Sequence, residues 1–379
     1  MRTHYRVASL SWFLLVLVVA APLAATTPPQ ANNARTITVM TRNLYLGADV
    51  AQVVAVLTDP DATPEMIIAA VSEFWAKVRF TNFPARADGI AREVAEVQPD
   101  LIGLQEAELW RSQTPADFVM GNADHVEYDF VRILLDALAA RGLHYAVAAQ
   151  EQGIDIELPG FLSEAAAEAG ELSEIRLTER EVILARTDLE TSELKLSNAQ
   201  TGHFATNIEF PDLGFVVLRG WASVDAKVRG KDFRFVTTHL EADDEGVREA
   251  QASEIISGPA DTSLPVVFVA DANSNANGDA TSPAYESLIN AGFVDAWFEI
   301  DPAHVSSCCA DELLLSSELP IASDNEGRID LVLFRGAHDF NTLGVSLFGN
   351  TAGEKVFNGV TLIWPSDHAG VAAKLRIHN

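Results

Sequence analysis

GVTLIWPSDH, residues 359–368, carries an apolar, strand-like run straight into the polar triplet Ser366-Asp367-His368. Polar islands of the same kind stand earlier in the chain, each beside an apolar run. They are Asn43 in VMTRNLYLG, Glu106 in DLIGLQEAELW, His239 in RFVTTHLEA, Asp271 with Asn273 in PVVFVADANS, and Asp330 in GRIDLVLF. One such island means little, because a strand must end somewhere and turns favour Asn and Asp. The ordered set means more. Carboxylates, amides and two histidines at the ends of buried strands are what metal-assisted hydrolysis of a phosphoester requires.

Working outward, residues 1–25 read as a signal peptide: Arg2 and Arg6 form a basic start, Trp12 to Ala20 is continuously apolar, and small residues follow. The apolar stretch is short for a bilayer span. The expectation is export to the medium, the periplasm or the cell envelope, with no transmembrane segment in the mature form. Residues 26–35 read as a disordered leader and 36–379 as a single catalytic domain.

The formal net charge is −28, and loss of two arginines with the signal leaves about −30. Such a surface repels polyanions at long range, since non-specific DNA binding rests on Lys and Arg neutralising phosphates. The one local basic group, Arg219, Lys227, Arg229, Lys231 and Arg234, falls on a hairpin turning at Arg229-Gly230-Lys231-Asp232 and reads as a solvated face. Acidity does not exclude a nuclease, because carboxylates that bind a cation reverse the local sign. The adjacent Cys308 and Cys309 read as a vicinal disulfide or a packing element in a loop rather than as catalytic groups.

Element signals are clear over much of the chain. TITVM starts a strand at Thr36 that ends at Arg42-Asn43. Thr63-Pro64 caps a helix with an apolar stripe through Phe74 and Trp75; Pro84 opens another that stops before Pro99-Asp100. Phe130–Arg141 predicts a helix closed by Gly142. Residues 150–178 read as an acidic, Ala-rich surface insertion. EVILAR, FVVLRGWASV, FRFVTTHL, PVVFVADAN, RIDLVLF, a run around Val345, TLIW and VAAKLRI predict strands, with helices over 250–256 and 285–290. Strands interleaved with helices predict an α/β sandwich.

The order and context of RNL, LQE, THL, ADAN, RIDLVL and SDH resemble the endonuclease/exonuclease/phosphatase superfamily, which includes deoxyribonuclease I, neutral sphingomyelinases and inositol polyphosphate 5-phosphatases. The resemblance covers residues 36–379 and implies a four-layer sandwich, two packed mixed β-sheets flanked by helices. It also implies a divalent-metal-dependent phosphoesterase using Mg²⁺, with Mn²⁺ or Ca²⁺ as alternatives. Glu106 matches the principal hard ligand, Asp367 adds a metal-side carboxylate, and Asn43 sits beside the metal to orient Glu106 or substrate. His239 matches the residue that contacts the scissile phosphate. Asp271 orients or deprotonates the attacking water, and Asn273 donates to a phosphoryl oxygen. Asp330 holds His368, which acts on the phosphate or the transferring proton, and Glu179 is a weaker match for a residue supporting His239.

Because both histidines are present, a phosphodiesterase is favoured over a phosphomonoesterase. Deoxyribonuclease-like and sphingomyelinase-like readings both stay open, and a non-catalytic binding module on the same fold ranks below them. The expected partner is therefore a phosphoester substrate, either nucleic acid or a phospholipid headgroup, and the expected state is a monomer. No basic DNA-wrapping loop and no aromatic lipid-inserting hairpin stand out; Trp110-Arg111 is a candidate to line the cleft, and Trp110 reads at least as well as a residue closing the core beneath the loop.

Overall fold

The computed structural model describes residues 35–277, 282–320, 327–336 and 338–378, so the expected signal peptide and nearly all of the expected leader lie outside the described residues. An eight-stranded mixed sheet contains β1 (Thr36–Asn43), β2 (Leu101–Gln105), β3 (Leu109–Gln113), β4 (His125–Asp129), β5 (Tyr145–Gly160), β6 (Ser173–Arg186), β15 (Phe340–Phe348) and β18 (Gly370–Ile377). A six-stranded sheet contains β7 (Leu194–His203), β10 (Gly220–Val228), β11 (Lys231–His239), β12 (Val266–Asp271), β13 (Phe293–Asp295) and β14 (Asp330–Arg335). Two short hairpins, β8 (Ile208–Phe210) with β9 (Phe215–Val217) and β16 (Val356–Phe357) with β17 (Leu362–Ile363), stand apart. The helices are α1 (Ala51–Leu57), α2 (Pro64–Thr81), α3 (Phe83–Val97), α4 (Phe130–Ala140), α5 (Glu164–Ala169), α6 (Glu245–Ser257), α7 (Pro283–Asn290) and α8 (Ala296–Ile300).

Three apolar cores stack these elements into four layers, as expected. Trp75, Ile90 and Leu134 from α2, α3 and α4 pack on the outer face of the first sheet. Val39, Phe235 and Val269 fill the space between the sheets, and Phe268 with Ile255 and Leu288 seals the second sheet beneath α6 and α7. Strands covered on both faces read as unbroken apolar runs, and β2 and β12 are buried at every position.

Register then decides where the chemistry falls. β1 and β2 run parallel with Asn43 beside Gln105, so both strands end at one edge and Glu106 follows immediately. In the second sheet β11 and β12 are also parallel with His239 beside Asp271, while antiparallel β14 sets Asp330 against Asp271. His239, Asp271 and Asp330 thus form one row across three strands. The sheets approach closely below this edge at Gly103, where a Cβ would lie 2.4 Å from Thr237 Oγ1 and 2.4 Å from Val269 Cγ2.

The expected insertion at 150–178 is corrected. β5 continues to Gly160 and β6 begins at Ser173, leaving only α5 as helix between them. Ile154, Ile156 and Leu158 alternate with polar residues at the strand period, a signal masked by the acidic composition. FVVLRGWASV is broken rather than continuous, because β9 stops at Val217 and β10 starts at Gly220. Strands β3, β4 and β7 had no sequence signal of their own: polar residues dominate them, and pairing with neighbours holds them in the sheets.

Any side chain at position 103 must push the sheets apart or displace a β-branched neighbour. Gly103→Ala is expected to lower unfolding free energy by about 1–3 kcal/mol, the usual cost of overpacking, measured by urea denaturation. A neutral result would show that the sheet interface yields at this point.

Candidate active site

The strand ends bring the sequence candidates to one edge. The Asn43 amide nitrogen donates to Glu106 Oε1 at 2.8 Å and to Asp271 Oδ2 at 2.9 Å, so one side chain from the first sheet ties two carboxylates. The Asn43 Oδ1 in turn accepts from the Tyr45 N–H at 2.8 Å, which fixes the orientation of the amide. The second Glu106 oxygen accepts from the Leu46 N–H at 2.6 Å. Glu106 and Asn273 both occupy left-handed backbone, φ 50° and 46°, where side chains other than Gly are uncommon. The strand ends turn sharply there.

Asp271 is the centre of the second group. Its Oδ2 lies 3.5 Å from His239 Nε2 and 3.6 Å from His368 Nδ1, and the same His368 nitrogen pairs with Asp330 Oδ2 at 2.9 Å. Burial would raise the Asp271 pKa, but His368, His239 and the Asn43 amide outweigh it and hold the carboxyl below its ordinary value. Burial pulls His368 down, yet Asp330, Asp271 and Asp367 together hold it well above the usual histidine range. His239 is pulled down by burial and by Arg219, and Asp271 and Glu179 still keep it above that range.

Glu179 does reach His239, with Oε1 at 3.3 Å from Nδ1. Asn273 lies 3.0 Å from the other ring nitrogen and donates to the Leu240 carbonyl at 2.9 Å, so it braces His239. Asp367 stands at the rim with 18% of its side chain exposed and one oxygen 4.0 Å from His368 Nε2. Among the described residues, Asp271, Asp330 and His368 are one of three groups whose ligand atoms lie within 4.8 Å of one another, and Glu106 and Asp367 belong to none of the three.

That openness fits Mg²⁺, which takes one or two protein carboxylates and keeps water and substrate oxygens for its other positions. The charge balance fits as well. Burial, and then Glu106, push the Asp367 carboxyl up to about 7 even though His368 opposes them, and a divalent cation relieves this repulsion. Glu106 and Asp367 are thus the carboxylates that would hold the ion, with the Asn43 amide donating to Glu106 and orienting it. The expected place of Asn43 among the ligands is not what its hydrogen bonds support.

Several functional contacts had no sequence signal. Arg86, fully buried, donates to the carbonyls of Leu44 and Tyr45 after β1 and, at 3.2 Å, to the carbonyl of Pro365. Arg42, paired with Glu93 at 2.9 Å, donates to the carbonyl of His368. Ser307 Oγ accepts from the Ile329 and Asp330 N–H groups, each at 3.1 Å. One sequence reading is corrected here. Arg219 leaves the expected solvated basic face, because its guanidinium is drawn between Glu179 at 3.5 Å and Glu241 at 3.2 Å. Cys308 and Cys309 are joined as the vicinal disulfide expected, and Cys308 Sγ lies 3.4 Å from His368 Nε2.

The sequence profile of the Endonuclease/Exonuclease/phosphatase family matches residues 74–368, more than half of the chain, and the chain belongs to that family. Solved structures share its fold. An endonuclease/exonuclease/phosphatase family protein from Bacteroides thetaiotaomicron is 16% identical with a TM-score of 0.51, covering 91% of this chain and 99% of its own. A mannosyl-6-phosphatase from the same organism is 16% identical at TM-score 0.51, covering 90% and 100%. Humanized D. rerio TDP2 gives the same 16% and 0.51, again covering 90% and 100%. Among curated proteins none matches the chain.

A ring of buried acids borders the site, and Glu151 is its most readily tested member. Burial, and then Glu179, push the Glu151 carboxyl up to about 8. His203 lies 2.9 Å away but is half exposed, too solvated to offset this. A folded-state pKa above the unfolded value of about 4.3 means the folded state holds a proton that the unfolded state loses. Stability is then full below the unfolded pKa and falls as pH rises toward the folded one. Glu151→Gln is expected to raise the melting temperature relative to wild type at about pH 8.5 and to leave it unchanged near pH 4.5, read by paired thermal melts. Equal melting temperatures at both pH values would place Glu151 in the ionised state in the fold.

Proposed function

We propose that this family member is a divalent-metal-dependent phosphodiesterase that acts after export. The observation that carries the reading is the Asn43 amide, which bridges Glu106 to an Asp271 carboxylate already flanked by two histidines. A bound Mg²⁺ at Glu106 and Asp367 would supply Lewis-acid charge relief at a phosphoryl oxygen. Asp271, kept ionised, accepts the proton of the attacking water. His239, held by Glu179 at one ring nitrogen and by Asn273 at the other, lines the place where a phosphoryl oxygen would sit. His368, held protonated against Asp330, passes a proton to the leaving oxygen as the phosphorus–oxygen bond breaks. An acid at His368 suits a diester, whose leaving group is a poor one and gains from protonation. The basic and apolar stretch within residues 1–25 supports export.

Glu106→Gln keeps the shape of the side chain and one acceptor oxygen for the Asn43 amide, while removing the charge and the acceptor for the Leu46 N–H. It is expected to abolish Mg²⁺-dependent hydrolysis of bis-para-nitrophenyl phosphate and to weaken Mn²⁺ binding seen by calorimetry, with the circular dichroism unchanged. EDTA should silence the wild type in the same assay. Undiminished turnover in the variant would remove Glu106 from the metal site. His368→Ala is expected to lower kcat on the same ester by about 10²–10⁴-fold, and a loss below about tenfold would deny it the proton-transfer role.

A further inference from the structure

Beside the catalytic cluster lies an apolar chamber of about 220 Å³. Its floor is built from facing positions on paired strands, Ile156 opposite Leu177 and Leu158 opposite Ile175. The outer wall is α1, through Val53 and Leu57. The roof is the β8–β9 hairpin, whose Phe210 and Phe215 rings stack at 6.3 Å between centroids. This aromatic hairpin was not anticipated from the sequence, because its two strands are only three residues each: β8 gave no strand signal and β9 read as the start of the longer run FVVLRGWASV. At the inner end the lining changes character and becomes Glu106, Glu179, Arg219 and His239. The chamber therefore opens on the groups that would receive a phosphate.

β6 makes the connection directly. Alternate residues of a strand share a face, so Ile175, Leu177 and Glu179 follow one another along one side of β6. The first two line the chamber and the third meets His239 at 3.3 Å. A molecule laid along this face has an apolar part in the chamber when its phosphoester is at His239.

We propose that the chamber holds the aliphatic chain of an amphiphilic phosphoester, which makes this the substrate class of the phosphodiesterase; the proposal rests on the reading of the site given above. Size permits it: an apolar cavity of about 150 Å³ already binds benzene. Charge favours it: a chain with net charge −28 repels polynucleotides and anionic bilayers far more strongly than a dispersed amphiphile with one phosphoester charge. A nucleotide would leave the chamber without an occupant, since sugar and base edges carry polar groups that this lining cannot satisfy.

The test uses para-nitrophenyl alkyl phosphodiesters with methyl, butyl, octyl and dodecyl groups, each below its aggregation concentration, with Mg²⁺. Wild type should gain about two- to fourfold in kcat/KM per methylene until the chamber is full. Ile156→Trp fills the floor, and Val53→Trp fills from α1, a helix with no buried residue and hence little bearing on folding. Either variant should keep the methyl ester rate within about twofold while losing at least about tenfold on the octyl ester. A flat chain-length profile with active wild-type enzyme would overturn the chamber proposal and leave the phosphodiesterase reading standing. If no ester is hydrolysed, the phosphodiesterase reading fails, and calorimetry with methyl- and octylphosphonate decides the chamber separately. Tighter octylphosphonate binding that Ile156→Trp abolishes would keep the chain site; equal binding of the two phosphonates, or none, would sink it.

Discussion

The Asp271 carboxylate is the constraint on which the rest of the site depends. It sits on the second sheet yet is held by Asn43 from the first, and both histidines approach the same oxygen. A buried carboxylate without compensation would take up a proton. Here two imidazoles and an amide keep it ionised, so a strong acceptor is maintained where water would be activated. Since those partners come from β1, β11 and the loop before β18, the cluster exists only when the two sheets are packed in one register.

That register is secured from outside the chemistry. Arg86 reaches from α3 to carbonyls on both sides of the edge, the turn after β1 and the loop that carries Asp367 and His368. Arg42 adds a second tie to the His368 carbonyl and is itself neutralised by Glu93. Guanidinium suits this work because its planar fork donates several hydrogen bonds at once and stays charged under burial. Burial still lowers the Arg86 pKa to about 10, far enough above neutrality to leave the clamp intact.

The fold and the reactive edge were legible where composition and position agree. Runs such as PVVFVADANS and LIGLQE are apolar on both faces because helices and a second sheet cover them, so strand, end and polar cap appear in one short string. The positioning groups were not legible, since Arg42, Arg86 and Ser307 act through backbone carbonyls or N–H groups that no side-chain pattern announces. Residues 150–178 misled for a related reason. Their glutamates suggested solvent, whereas Glu151, Glu157 and Glu174 are buried in the sheet. Arg219 misled in the opposite sense, reading as part of a basic surface when its partners were acids distant in sequence.

Those buried acids also explain how an apolar chamber can end against a charged site. Burial raises the carboxyls of Glu108 and Glu181 well above the ordinary glutamate range, and the nearby Glu179 raises them further. Glu179 differs: burial opposes its ionisation, but Arg219 and His239 prevail and keep it charged. The wall between chamber and catalytic edge therefore contains an ion-pair network in which Arg219 faces both Glu179 and Glu241. Pairing draws these charges together and weakens the field that an apolar neighbour meets, compared with isolated charges in the same place. The boundary between the greasy and the ionic halves of the cleft thus falls at Glu179, a single strand step from Leu177 on the same face of β6.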